Sequence, residues 1–142
     1  MKRTIKLHDV LQATDAYMKD IQGFYPEEWL DNDANVALID PETRDVALFE
    51  RQHKTPHAVH GHYFFHSRGK SAVKSAKAAL EEIFSGRYNV EVICGLTPLD
   101  NKGALWMNRR LGFKSYGHTD TAAGLCDFVV LTKQEWENAR HE

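Results

Sequence analysis

VEVICGLTPLDNKGALWMNRRLGFKSYG, residues 90–117, changes its periodicity twice. Val90, Val92, Ile93 and Cys94 make a short apolar run, interrupted by Glu91 and closed by Gly95. A run of this kind, rich in β-branched residues, is a strand buried on both faces. Pro98 then breaks the chain, and Asp100 or Asn101 can cap a helix that carries Ala104, Leu105, Met107 and Leu111. Gly112 stands where a left-handed helix terminus is expected. Residues 113–116 read as a new strand. The stretch is therefore strand, loop, short helix, Gly-Phe, strand.

Asn101, Ala104, Leu111, Gly112 and Phe113 resemble the N-x-x-A…L-G-F signature of the GNAT N-acetyltransferases. The plainer alternative is an α/β protein that happens to end a helix in Leu-Gly-Phe. The resemblance implies a co-substrate, acetyl-coenzyme A, whose pantetheine arm meets the Asn and the helix after it. The wording GLTPLDNKGALWMNRRLGFKSYG is also similar to a narrower group of bacteriophage-encoded GNAT-like proteins. Some of those are labelled acetyltransferases and others head-assembly proteins.

Outward from this stretch, the chain of 142 residues is long enough for one domain, 1–142, with a sizeable core. Its 42% apolar and 27% charged residues are ordinary for a soluble globular protein. A formal net charge of −2 disfavours nucleic acid as main partner, although Lys70, Lys74 and Lys77 form a local basic patch. Cys94 and Cys126 lie in apolar runs and read as buried reduced thiols, which points to the cytoplasm. No apolar stretch has membrane-spanning length, and the N-terminus lacks a signal-peptide core. A phage-encoded protein would sit in the host cytoplasm or the virion.

In chain order, residues 4–7 are a candidate strand, with His8 and Asp9 as helix-start signals. Val10, Leu11, Ala13, Tyr17, Met18 and Ile21 follow helical spacing, and Gly23 ends that helix. Pro26 suits the first turn of a second helix, PEEWLD. Residues 36–39, 46–50 and 58–65 form three strands joined by short turns, an antiparallel meander. Residues 71–84 are an amphipathic helix with Val73, Ala76, Leu80, Ile83 and Phe84 on one face. Residues 125–131 are the last strand, and 133–141 a polar tail with a helical turn or two. The order β-α-α-β-β-β-α-β-α-β-β is that of the GNAT fold. The expected architecture is thus α/β (α+β): a mixed, mostly antiparallel sheet flanked by helices, with a central splayed parallel strand pair.

Residues 66–73, HSRGKSAV, lie between a strand and a helix, so backbone N–H groups should point out of the helix start and form an anion site. By resemblance this loop binds the coenzyme pyrophosphate through Arg68, Gly69, Lys70, Ser71, Ala72 and Val73. Ser71 and Val73 depart from the family pattern, which has small residues there, and the valine would crowd a phosphate. The strand bearing Cys94 and Leu96 is expected to hold the thioester through its backbone, with Asn101 on the pantetheine. Many GNAT enzymes place a tyrosine acid seven residues after that Asn. Here the position is Asn108, whose amide cannot protonate a thiolate. Tyr116, a water or no group at all remain as alternatives.

A base for the amine needs a pKa near neutrality, which favours histidine. His60 and His62 alternate with Gly61 and Tyr63 along one strand and are preferred over Glu91. Gly61 is a candidate bulge position. The plainer reading of each histidine is a partly buried ring satisfied by a backbone carbonyl. His57, His60, His62 and His66 lie close together, but no carboxylate or cysteine at a helpful spacing completes a metal site. Gly69-Lys70-Ser71 is no P-loop, because the upstream glycine falls at Phe64. Trp29, Trp106, Tyr63, Phe64 and Phe65 read as core and cleft wall.

Two functions follow. One is an acetyl-CoA-dependent N-acetyltransferase, without metal, acting directly on a small-molecule or protein amine. Glu27, Glu28, Asp31 and Asp33 are then an acidic rim suited to a cation. The other is a catalytically silent phage protein that works by contact with phage structural proteins. A homodimer is open under either.

Overall fold

The computed structural model describes residues 1–14, 25–122 and 124–140. Among these residues, seven strands and five helices follow one another as β1 (Lys2–Thr4), α1 (Leu7–Thr14), α2 (Pro26–Asp31), β2 (Val36–Ile39), β3 (Val46–Arg51), β4 (Ala58–Phe64), α3 (Lys70–Ile83), β5 (Val92–Pro98), α4 (Lys102–Leu111), β6 (Lys114–Thr121), β7 (Gly124–Thr132) and α5 (Lys133–Arg140). The strands form one sheet in the order β1-β2-β3-β4-β5-β7-β6. Every neighbouring pair is antiparallel except β4 and β5, which are parallel. The expected order of elements is the observed one up to β7, with the helix α5 added after it. Tyr17, Met18, Ile21 and Gly23, the second half of the first predicted helix, lie outside the described residues.

Each face of the sheet is covered by its own helices. Val10 and Ala13 of α1 and Trp29 of α2 pack on Ala37, Ile39, Val46 and Leu48. On the other face Ala76, Ala79, Leu80 and Ile83 of α3, Leu111 of α4 and Trp136 of α5 pack on Val36, Phe49, Val59, Ile93 and Leu131. β2 is buried along its whole length because it is covered on both sides.

Local chemistry corrects several sequence expectations. β1 stops at Thr4, whose hydroxyl donates to Asp9 Oδ2 at 2.6 Å and accepts from the Lys6 amide at 3.2 Å. Such side-chain bonds turn the chain, and the helix begins at Leu7 instead of beyond His8. Gly95 does not close β5, which runs on to Pro98. A Cβ there would lie 3.3 Å from Cγ2 of Val129, so the glycine admits β7 closely. Gly61 is not a bulge, since β3 and β4 keep continuous register from Val46↔Phe64 to Arg51↔Val59. The irregular register lies between β6 and β7, at Ser115 and His118. The polar tail is a regular helix, α5, anchored by Trp136 at 6% exposure. One large apolar residue per two turns is too weak a periodic signal to show that from sequence.

Candidate active site

The pairing of β4 with β5 covers only Ala58↔Val92, Val59↔Ile93 and His60↔Cys94. β4 continues to Phe64 alongside β3, and β5 to Pro98 alongside β7. Beyond His60 and Cys94 their facing edges are unpaired, so the two strands part like a V. The gap is a cavity of about 330 Å³ lined by Gly61, His62, Tyr63, Cys94, Leu96 and Thr97, among others. A second cavity of about 550 Å³ adjoins it between α3 and α4, and Tyr63, Asn101, Ala104 and Asn108 line both. Trp106 is a half-exposed wall of the second cavity and does not plug it.

Strand alternation sends His60, His62 and Phe64 to the α1/α2 face and Tyr63 to the α3/α4 face. The two imidazoles lie 5.3 Å apart, centroid to centroid. His62 lines the gap, and His60 stands behind it on the paired part of β4. Loss of water around the rings pushes both pKa values below the ordinary histidine value. His60 adds like-charge repulsion to His62, while Glu50 pulls both part of the way back. Glu50 is the register partner of His60 and accepts a hydrogen bond from Trp29 Nε1 at 3.2 Å. The shift favours the neutral imidazole, the form that accepts a proton, although His62 itself is an exposed residue of β4. Glu91 precedes β5 at the paired end, away from the gap.

The loop before α3 is held by a residue that the sequence did not single out. Asp45 is fully buried and accepts hydrogen bonds from the amides of His66 and Ser67 at 2.6 and 3.0 Å and from the Ser75 hydroxyl at 2.6 Å. Burial alone would raise its pKa, but the hydrogen bonds from Ser67, Ser75 and the His66 amide outweigh burial and lower it. The loop is thus pinned to the start of β3. Gly69 precedes α3 with φ +60, a conformation that favours glycine, and no atom lies within 4 Å of where its Cβ would stand. Arg68 folds onto its own loop, its Nη1 donating to the carbonyls of Phe65 at 2.6 Å and Ser67 at 2.9 Å.

Of the expected phosphate loop, Arg68, Gly69 and Ala72 line the larger cavity, and Lys70, Ser71 and Val73 do not. Val73 follows Ala72 by one helical step, and its amide donates to the Gly69 carbonyl at 3.2 Å. Asn101 caps α4, its Oδ1 accepting from the Ala104 amide at 3.1 Å. Asn101→Ala should cost about 1 kcal/mol of stability in urea denaturation. Asn101→Asp, which keeps the acceptor, should cost little. Asn108 Nδ2 donates to Thr97 Oγ1 at 2.8 Å and so ties α4 to β5 at the mouth of the gap. Tyr116 stands 65% exposed on β6 and is not among the residues lining the gap, so the structure does not bring this candidate acid to the site.

Other candidates are also placed elsewhere. Glu27 and Glu28 border a separate groove with Leu7, Leu11 and Tyr25. His57 sits at the paired end, with Nδ1 3.2 Å from the Asn89 carbonyl oxygen, so the four neighbouring histidines do not converge. Among the described residues no group of three or more His, Cys, Asp or Glu is placed to hold a metal. Among them, too, no helix is long and apolar enough to cross a membrane.

This sheet, with one parallel pair that opens into a cleft, is the GNAT fold. The chain superposes on a mutant form of the spermidine/spermine N-acetyltransferase SpeG from Vibrio cholerae with a TM-score of 0.76 at 12% identity, covering 96% of this chain and 92% of that one. A GNAT-family acetyltransferase from Bacillus anthracis gives 0.67 at 16% identity over 94% of both chains. The aminoglycoside acetyltransferase AAC(6')-Ib in complex with coenzyme A gives 0.61 at 18% identity, covering 78% of this chain and 73% of that one. No family model and no curated protein sequence matches the chain.

Proposed function

We propose that this protein is an acetyl-CoA-dependent N-acetyltransferase that moves the acetyl group directly onto a primary amine. The observation that carries this reading is the parting of β4 and β5 beyond His60 and Cys94, with the His62 imidazole on one face and the α3 loop on the other. The residues present fit the co-substrate. The first-turn amides of α3 lack intrahelical partners and suit a diphosphate, and the open space at Gly69 lets an anion approach the backbone. Asn101 and Asn108 offer amide groups to the pantetheine along the two joined cavities.

When bound, acetyl-CoA supplies an activated acyl group. His62 takes the proton that the amine must lose, and backbone N–H groups on the unpaired edges of the V stabilise the carbonyl oxygen as charge develops on it. The acceptor enters on the α1/α2 face, where Glu50 adds a carboxylate that suits a cation. Spermidine and aminoglycosides, the acceptors in the names of two structural neighbours, are cationic amines of this kind.

A second reading, a silent GNAT-shaped protein acting by contact in a phage head or virion, is favoured by Asn108. It occupies the place of the family's acid and is already bonded to Thr97. The phage wording finds no support among the neighbours named above.

Calorimetric titration with acetyl-CoA, followed by turnover on a panel of polyamines and aminoglycosides, separates the two. Binding well below millimolar with turnover is the expected result. Gly69→Val, which places a branched side chain at a positive φ beside the cavity, should weaken binding by roughly tenfold or more. Absence of binding at millimolar ligand would overturn the enzymatic reading, and tight binding without turnover on any amine would favour the silent one.

A further inference from the structure

Tyr63 on β4 has a buried hydroxyl with no hydrogen-bond partner among the described residues. Packing does not call for that oxygen. The ring meets Phe49 edge-on with centroids 5.9 Å apart and Phe65 at 5.8 Å, and a phenylalanine would make both contacts. A buried polar atom without a partner is unfavourable, and such atoms are uncommon in native folds. The position of this one is specific. A Cβ on Gly61 would come within 3.1 Å of the hydroxyl oxygen and 3.3 Å of Ile93, so the missing side chain makes room for the phenol at the base of the V. Tyr63 lines both the gap and the larger cavity.

Successive residues of a strand face opposite ways, so His62 and Tyr63 stand on opposite sides of the opening. A neutral amine attacks from the α1/α2 face, where His62 accepts the proton it sheds, and the leaving group departs on the α3/α4 face, beside Tyr63. We propose that the Tyr63 hydroxyl donates a hydrogen bond to the leaving sulfur. This rests on the reading of the protein as an acetyltransferase.

The amine nitrogen bonds to the carbonyl carbon, the C–S bond breaks with its electron pair on sulfur, and the surplus proton on nitrogen passes to His62 and then to solvent. Tyr63 holds the charge on sulfur, which is reprotonated from solvent on release. Burial pushes the phenol's pKa up, so Tyr63 keeps its proton throughout and acts as a donor, not as an acid.

The test compares coenzyme A with desulfo-coenzyme A, in which hydrogen replaces the thiol, by calorimetry at mildly alkaline pH. The wild-type protein should bind coenzyme A roughly tenfold more tightly than the desulfo compound, as expected for a charge-assisted hydrogen bond. Tyr63→Phe should bind the two equally and keep or slightly raise its melting temperature. Its kcat should fall about 10- to 100-fold with KM little changed, as when one preorganised donor is lost. Equal affinities in the wild-type protein would overturn the role of Tyr63 and leave the acetyltransferase reading standing. If neither compound binds, both fall.

Discussion

Asp45→Ala should lower the free energy of unfolding by about 3–5 kcal/mol, because it strands buried donors that now share one carboxylate. The amides of His66 and Ser67 and the hydroxyl of Ser75 all converge on it. Urea denaturation checks the size of the loss. Asp45→Asn should fall between the two, since an amide oxygen can still serve the loop amides. The pH dependence has a definite sign. The folded carboxyl titrates below its ordinary value of 3.8, so the unfolded chain binds the proton first on acidification. The contribution of Asp45 is therefore fully present above that value and is lost as pH falls through the lower, folded pKa. The alanine variant should lack this part of the acid dependence. Because Asp45 also sets the shape of the loop at Gly69, the variant should bind acetyl-CoA more weakly even at temperatures where it is folded.

His62→Gln should reduce kcat/KM by about 10²–10⁴, the range typical of a general base, with acetyl-CoA affinity unchanged. Steady-state kinetics against pH give the second readout. The pKa of His62 lies below the ordinary histidine value, so the wild-type rate should hold through neutrality and fall only in more acidic solution. Glutamine should abolish that acid limb. His60→Gln is the informative companion, because His60 stands behind the gap and acts on His62 through charge. Its removal should leave most of the rate and move the acid limb to higher pH. A loss of rate equal to that of His62→Gln would place the base on His60 instead.

Much of the fold is legible locally. Gly112 adopts φ +94 where the sequence expects a left-handed terminus, Asn101 caps α4, and Pro26 opens α2. These signals act within a few residues, and one side chain or one backbone angle is enough to produce them. Within the candidate site, the loop at Arg68 and Gly69 and the alternation of His60 and His62 are legible on the same basis. Tyr116 was not separable from the site by sequence, because its distance from the gap depends on β6 lying outside β7 at the sheet edge. Neither Asp45 nor Tyr63 announces a role, since one bonds to residues 21, 22 and 30 positions away and the other is defined by a partner it lacks.

By itself, then, the sequence determined the succession of strands and helices up to β7, the caps of α2 and α4, and which residue types could accept a proton or cradle an anion. Only the tertiary structure decided that β4 and β5 part after His60 and Cys94. That opening is a non-local balance, in which β3 holds one strand along its length and β7 the other, leaving no shared partner to close the space between them.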